Sequence, residues 1–166
     1  MPAAVQRVPP GPGQESVWDY PRPPRVEPTS RHVQVIFNGL LLADTRRALR
    51  VLETSQAPVY YIPPDDIQRS HLVATRQTTV CEWKGLARYY DVIAGDKRAE
   101  NAAWTYPEPA PGYAAMGDYV AFYPHLMDQC LVDGQPAAPM PGGFYGGWIT
   151  PDVVGPFKGG PGTHGW

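Results

Sequence analysis

The sequence predicts a mainly β domain built from short antiparallel strands. Runs rich in β-branched and aromatic residues recur between about residues 31 and 133, and Gly, Pro, Asn or Asp signals separate them. Helix signals are brief, so we expect one or two short helices at most. Seven or eight strands at this close spacing are typical of a small antiparallel fold.

The individual elements follow from the turn signals. His32–Phe37 is predicted to be a strand, and Asn38-Gly39 is a strong hairpin turn that leads into Leu40–Ala43. Arg46–Thr54 fits either a short helix or a bulged strand. Val59–Ile62 is predicted to be a strand that two prolines end. Two later strands are expected at Tyr119–Tyr123 and Cys130–Val132.

The segment from Thr78 to Trp104 is predicted to form two consecutive hairpins. With Gly85-Leu86 and Gly95-Asp96 as turns, Trp83 lies opposite Arg88, and Ile93 lies opposite Arg98. Because side chains alternate between faces, one mostly apolar face should point inward and one charged face should meet water. The inward set is Thr79, Cys81, Trp83, Arg88, Tyr90, Val92, Ala99, Asn101 and Ala103. The outward set is Glu82, Lys84, Tyr89, Asp91, Arg98, Glu100 and Trp104. A one-residue slip would exchange the faces.

Proline and aromatic content divides the chain into three parts. Many of the 21 prolines lie in residues 1–30, which are predicted to be an extended arm, with 1–14 disordered. Residues 31–133 form the expected β domain. Residues 134–166 are a tail rich in Gly and Pro that carries five large aromatic residues, so we expect it to be docked on the domain.

Charge and composition exclude several partners. The net charge of −2 leaves no basic surface for nucleic acid, and no apolar run is long enough to span a membrane. Two cysteines and no secretory signal predict reduced thiols and a cytoplasmic protein. The four histidines are scattered, so neither a metal site nor a cofactor is expected.

Five ordered motifs resemble domain of unknown function family 427. They are FNGLLLADTRRALRVLET, PVYYIPPDDI, CEWKG with ARYYDV, AENAAWTYPEP and YVAFYP, and they cover roughly residues 31–133. The resemblance implies a small β-tent-like fold, shared with the thalidomide-binding domain of cereblon and the methionine-R-sulfoxide reductases. Relatives often hold a structural zinc in two Cys-x-x-Cys pairs, which this chain lacks. The arm ESVWDYPRPP and the tail GGFYGGWIT resemble a longer, actinobacterial-type subgroup.

Three residues are candidates for a catalytic or ligand-binding role. Cys81 could be a nucleophile if a neighbouring cation such as Lys84 or Arg88 lowers its pKa, or it could be a buried structural thiol. Lys84 is either an anion contact at a pocket mouth or a solvated turn lysine. Arg47 is favoured over Arg46 for a pocket.

An aromatic set predicts a small-molecule pocket, although about half of such residues usually serve the core. The set is Tyr60, Tyr61, Tyr89, Tyr90, Trp104 and Tyr106. The expected ligand-binding residues are Arg47, Tyr60, Trp83, Arg88, Tyr90, Asn101 and Trp104, with Cys81 and Lys84 as candidate catalytic residues. The favoured function is binding of a polar or anionic organic molecule. The alternatives are an enzyme that uses the same pocket, and an interaction protein that forms a homodimer through its arm or tail.

Overall fold

A computed structural model describes residues 5–166 as strands joined by turns and short 3-10 segments. The strands are β1 (Glu15–Ser16), β2 (Arg25–Pro28), β3 (Val33–Phe37), β4 (Leu40–Thr45), β5 (Leu49–Leu52), β6 (Val59–Tyr61), β7 (Leu72–Cys81), β8 (Gly85–Ala94), β9 (Lys97–Thr105), β10 (Val120–Phe122), β11 (Gln129–Val132), β12 (Gln135–Pro136), β13 (Ala138–Pro139), β14 (Trp148–Ile149) and β15 (Val153–Val154). The 3-10 segments are Val17–Asp19, Pro64–Asp66, Arg69–His71, Pro111–Met116, Pro124–Leu126 and Pro141–Gly143.

The predicted mainly β, antiparallel fold is confirmed. Arg46–Thr54, which fitted a helix or a strand, contains the strand β5. Several strands of two residues add to the longer ones that the sequence indicates. One of these short pairs, β1 with β15, is parallel and joins the arm to the tail.

Three sheets of three or four strands build most of the domain, and two of them join into one large sheet. β7, β8, β9 and β10 pair in the order β10-β9-β8-β7, and β3, β4, β11 and β12 pair in the order β12-β11-β3-β4. A third sheet, β2-β5-β6, continues the first because Ile62 and Val120 form a bridge with N–H to O distances of 2.8 and 2.9 Å between donor and acceptor. The joined sheet, which we call the large sheet, therefore has the strand order β2-β5-β6-β10-β9-β8-β7.

Side chains that alternate along the strands of the large sheet contribute to two different cores. Tyr60 belongs to the first core and Tyr61 to the second, although they are neighbours on β6. The same alternation divides Ala103 from Trp104. The first core also takes residues from the β3 sheet: Val33, Val35, Phe37, Leu42, Cys130 and Val132. The second core is richer in phenols: Tyr61, Tyr89, Trp104, Tyr106, Ala87, Val51, Met116 and Ala121.

The predicted register of the first hairpin is wrong. Cys81 pairs with Gly85 and Thr78 with Arg88, so the loop is Glu82–Lys84 and Trp83 does not face Arg88. The loop is held from outside the hairpin, because the backbone N–H of Ala110 donates to the Lys84 carbonyl at 2.9 Å. Gly85 takes φ of +110° as the first residue of β8, and local turn signals do not reveal this tertiary contact.

The second hairpin is correct near its turn and shifted beyond it. Ile93 faces Arg98 as predicted, but a bulge places Tyr90 opposite Ala103 instead of Asn101. Asn101 has φ of +48°, and its backbone N–H donates to a carboxylate oxygen of Asp91 at 2.7 Å.

The expectation that one face of the two hairpins meets water is also wrong. Tyr89, Asp91 and Trp104 are buried, because a second core covers the face that was expected to meet water. Conversely, Thr79 and Arg88 of the expected inward set are exposed. Burial of the Asp91 carboxylate tends to raise its pKa. Hydrogen bonds from the Asn101 N–H and the Arg98 side chain outweigh burial and lower the pKa, so the carboxylate stays charged.

The arm and the tail pack on each other. The Val8 N–H donates to the Gly155 carbonyl at 3.0 Å, and the Trp18 indole N–H donates to the Pro156 carbonyl at 2.8 Å. Trp148 of the tail is fully buried in the first core, where its indole N–H donates to the Phe122 carbonyl at 3.1 Å. The three-part division of the chain stays a prediction, and residues 1–4 of the predicted disordered start lie outside the described residues.

Candidate functional site

An aromatic cleft of about 570 Å³ opens on the second-core face of the large sheet. Its floor carries the aromatic residues of that core, and the β7–β8 loop and the tail supply its rim. We use "aromatic cleft" for this cavity, whose floor is Tyr61, Tyr89, Trp104, Tyr106 and Tyr123. Strand alternation places these residues together, since Tyr61 on β6, Tyr89 on β8 and Trp104 on β9 leave their strands on the same face.

The floor is a packed set of rings with hydroxyl groups. Trp104 lies 4.5 Å from Tyr123 between ring centroids, and its indole N–H donates to the Tyr61 hydroxyl at 3.2 Å. The Thr79 and Tyr89 hydroxyls share a hydrogen bond of 3.0 Å. Burial raises the pKa of Tyr61, Tyr106 and Tyr123 above the usual phenol range. These phenols are therefore neutral at physiological pH and can donate hydrogen bonds.

Two lysines and two glutamates bring charge to the cleft, since Glu53 and Glu82 line it together with Lys84 and Lys158. Lys84 lies in the β7–β8 loop with its Nζ 5.8 Å from the Tyr106 ring centroid, and Lys158 of the tail has its Nζ 4.6 Å from that of Tyr145. Within residues 5–166, neither ammonium group has a carboxylate within 4.0 Å. Burial lowers the pKa of Lys158. The charge of Glu53 opposes this effect, and the charges of Arg22 and Lys84 add to it.

The two cysteines occupy different environments. Cys81 is half-buried at the end of β7, where it packs against the second core and lines the cleft. Cys130 is 1% exposed in the first core, and burial raises the pKa of its thiol. Of the two thiols, only that of Cys81 can meet a molecule from solution. No cluster of three potential metal ligands occurs among the described residues.

One wall of the cleft comes from the tail. A Cβ on Gly146 would lie 2.1 Å from the Trp104 ring, so only glycine lets the backbone rest on this indole. Gly147 is equally restricted, because its Cβ would lie 2.4 Å from the Ala57 carbonyl oxygen. Phe144, which is 75% exposed, and Tyr145 stand beside this close approach at the mouth.

Four of the predicted site residues meet in the aromatic cleft. Cys81, Trp83, Lys84 and Trp104 all line it. Trp83 reaches the rim from the loop, and Trp104 reaches the floor through the face that the incorrect register had assigned to solvent. The CEWKG motif contributes four consecutive positions to this cavity, because Glu82 lines it as well.

The other predicted residues lie elsewhere. Arg47 is exposed and pairs with Asp66 at 2.9 Å. Tyr60 is buried against Trp148 in the first core, at 5.1 Å between ring centroids. Arg88 is on the side of β8 opposite to Tyr89.

Tyr90 and Asn101 are also outside the cleft. Tyr90 packs at the edge of the first core. Asn101 occupies the β-bulge, where its side-chain oxygen accepts from the Thr75 hydroxyl at 2.7 Å. The amide of Asn101 therefore ties β9 to Thr75 of β7 and does not reach the cleft.

The sequence analysis did not identify Tyr123, His125, Tyr145 and Lys158 as cleft residues. Tyr123 could have been found by extending strand alternation from the YVAFYP motif. His125 follows two residues later, and its ring lies 5.5 Å from the Tyr123 ring centroid. Tyr145 and Lys158 carry no local signal, since only the folding of the tail across the sheet brings them to the cleft.

Comparison with known proteins places the chain in a family without assigning a reaction. No helix in the described residues has the length and apolar character needed to cross a membrane. No curated protein matches the sequence. The family described as "Domain of unknown function (DUF427)" matches residues 25–133, which is well over half of the chain and contains most of the cleft floor. The protein belongs to the DUF427 family.

Proposed function

We propose that the protein binds a small organic anion with an aromatic body in the aromatic cleft. One observation carries this proposal: two lysines without carboxylate partners in the described chain stand over a floor of neutral phenols and an indole. A cavity of about 570 Å³ lies within the usual size range of small-molecule sites. The aromatic walls favour a ligand with an apolar ring, and the two lysines favour one anionic end.

The floor and the rim would have separate tasks. The ring of the ligand would pack against the half-buried rings of Trp83, Tyr123 and Tyr145, because the Gly146 backbone already rests on the Trp104 indole. The raised pKa of Tyr123 keeps its hydroxyl protonated as a donor. Lys84 and Lys158 would hold the anionic group at the mouth, where partial exclusion of water strengthens the attraction. Because the lysines repel each other in the free protein, an anion between them would relieve this repulsion.

The test is a thermal-shift screen of aromatic acids, followed by calorimetric titration of the hits. A ligand at 100 times its Kd adds about 2.7 kcal/mol to the free energy of unfolding, which is readily detected. We expect Lys84→Ala and Lys158→Ala each to weaken binding. Lys97→Ala is the matched control, because Lys97 pairs with Asp128 at 3.2 Å and does not line the cleft. Equal loss in all three variants, or no hit among aromatic acids, would contradict the proposal.

An enzyme that uses this cleft is the second candidate, and the position of Cys81 favours it. The thiol packs against the second core and lines the cavity that would hold the ligand. In this alternative Cys81 is the nucleophile, or Lys84 and a tyrosine exchange protons with the ligand. Cys81→Ser separates the two functions: binding that survives the change with no turnover in either form supports the binding protein, whereas turnover lost in the variant supports the enzyme.

Exchange of the arm or tail between subunits is the third candidate. The arm donates hydrogen bonds to the carbonyls of Gly155 and Pro156 in the tail, so these two segments fit each other. A homodimer and a cytoplasmic location stay predictions.

A further inference from the structure

The large sheet ends in an open edge at β7. This strand is ten residues long and pairs with β8 on one side, and no strand formed by residues 5–166 pairs with its other side. Its apolar side chains reach water, since Val80 is 79% exposed and Val73 is 42% exposed. Such an edge presents a row of backbone N–H and C=O groups to an incoming strand.

The composition of β7 favours pairing with another strand. Open edges are usually blocked by lysine, proline or a bulge. The strand reads LVATRQTTVC, in which half of the residues are β-branched and Arg76 is the one charged residue. A bulge is the only one of these blocking features in β7, because the register with β8 shifts between Ala74 and Thr78. Residues 78–81 are therefore the regular part of the edge that a partner strand can use.

Charge selects one register for pairing of this edge with a second copy of the chain. A two-fold axis between antiparallel strands places one residue opposite itself. With Thr79 at this centre, Arg76 comes opposite the partner's Glu82. Within the described residues, neither of these two side chains has an opposite charge within 4.0 Å. A centre one residue later would place Arg76 opposite the partner's Lys84, which repels it.

We infer that two copies of the chain associate by antiparallel pairing of their β7 edges, centred on Thr79. The edge is self-complementary, because the two-fold axis forms the contact between Arg76 and Glu82 twice. The same register covers Val80, which packs opposite the partner's Thr78. This association is independent of the ligand proposed for the cleft.

The pairing also adds a residue of the partner to the aromatic cleft. Gln77, Thr79 and Cys81 line the cleft from β7. The register places the partner's Gln77 directly opposite Cys81, where Cβ atoms of antiparallel strands lie about 4.5 to 5.5 Å apart. Each cleft therefore gains an amide from the other copy on its β7 side.

Sedimentation velocity over a concentration series, up to about 1 mM, tests the association. We expect the full chain to pass from monomer to dimer as its concentration rises. Arg76→Glu and Glu82→Arg should each weaken the dimer by about tenfold, because each change places like charges opposite each other twice. The double variant should restore the dimer. Glu100→Arg is the matched control, because Glu100 is exposed on β9 and away from the edge.

A cross-link tests the register. On mild oxidation, Gln77→Cys should form a disulfide with the partner's Cys81, which a non-reducing gel shows as a covalent dimer. The same substitution in a Cys81→Ser background should give no covalent dimer, because the two copies of position 77 lie about 14 Å apart along the strands. Circular dichroism spectra that match the unaltered chain show that the substitutions leave the fold intact.

The outcomes decide the inference without reference to ligand binding. A monomer at every concentration overturns it. A dimer that the charge-exchanged double variant fails to restore overturns it as well, and so does a covalent dimer that forms without Cys81. Affinity for aromatic acids is measured separately, so failure here leaves the proposed function standing.

Discussion

The two faces of the large sheet carry two kinds of core. The first core is closed by a second sheet and by Trp148, and its polar groups are few. The second core has a layer of phenols over which no sheet formed by residues 5–166 packs, and the tail covers it only in part. Both are built from the same strands, with adjacent residues sent to opposite sides. The comparison shows that one sheet supplies stability on one face and a chemically equipped surface on the other.

The two thiols give the largest contrast between the faces. In native protein treated with Ellman's reagent, we expect Cys81 to react quickly and Cys130 only after unfolding. An ordinary folding stability of about 5 to 15 kcal/mol would slow Cys130 by at least about a thousandfold. Single-cysteine variants, each with the other cysteine replaced by serine or alanine, assign the two phases. Comparable rates for both thiols would break the distinction between a closed and an open face.

Tryptophan substitutions compare the faces in stability. Trp148→Ala should lower the free energy of unfolding by about 3 to 5 kcal/mol, because a fully buried ring leaves a cavity and an unpaired Phe122 carbonyl. Trp83→Ala, at the half-buried rim of the cleft, should cost less than about 1.5 kcal/mol. Urea denaturation followed by circular dichroism measures both. A larger loss for Trp83→Ala would place the main stabilising core on the cleft side.

Neighbouring tyrosines on β6 sharpen the contrast. Tyr61→Phe should destabilise the protein by about 1 to 3 kcal/mol, because it leaves the buried Trp104 indole N–H without its acceptor. Tyr60→Phe removes a hydroxyl from the other face, where ring packing against Trp148 persists, and should cost less. Denaturation of the two variants under identical conditions is the measurement, and an equal cost would argue against a special role of the Tyr61 hydroxyl.

Ligand affinity should depend on pH through Lys158. Burial lowers the pKa of this lysine in the free protein, and a bound anion favours its protonated form. Affinity is therefore highest below the lowered pKa and should fall, by roughly threefold to tenfold, as the pH rises through it. Titrations of N-acetyl-L-tryptophan across this range measure the effect. Lys158→Arg stays charged and should flatten the profile, whereas the same slope in that variant would assign the proton to another group.

The smallest effect is expected at a residue that the sequence had suggested for the site. Arg88 points away from the cleft, so Arg88→Ala should leave the affinity for an aromatic acid unchanged. Isothermal titration beside Lys84→Ala provides the comparison. A loss of affinity equal to that in Lys84→Ala would show that Arg88 contributes to ligand binding from the opposite face of the sheet.

Local signals predicted the strands well because turns and alternation act over a few residues. Asn38-Gly39 and Gly95-Asp96 mark real turns, and the Ile93 to Arg98 pairing follows from the second of them. The β7–β8 loop escaped prediction because the Ala110 N–H holds it from outside the hairpin. The observed register differs from the predicted one, and it changes the residues of β8 that share a face with Cys81.

The site was predictable only where it belongs to one motif. CEWKG carries Cys81, Trp83 and Lys84 within five residues, so these three cleft positions could be identified together. Arg47 and Asn101 looked functional by residue type, but an ion pair and a β-bulge account for them. Lys158 could not be found, because its position depends on how the tail crosses the sheet.

The burial of Trp148 has a consequence for the order in which the protein matures. This residue lies beyond the part of the chain that the family comparison covers, and every other buried residue of the first core precedes it in the sequence. During synthesis from the N-terminus, the other buried residues of the first core therefore leave the ribosome before Trp148. Until Trp148 follows, Tyr60 lacks the ring that packs against it. A gene trimmed to the family boundary would encode that unfinished intermediate, which we expect to be a preferred substrate for chaperones and proteases.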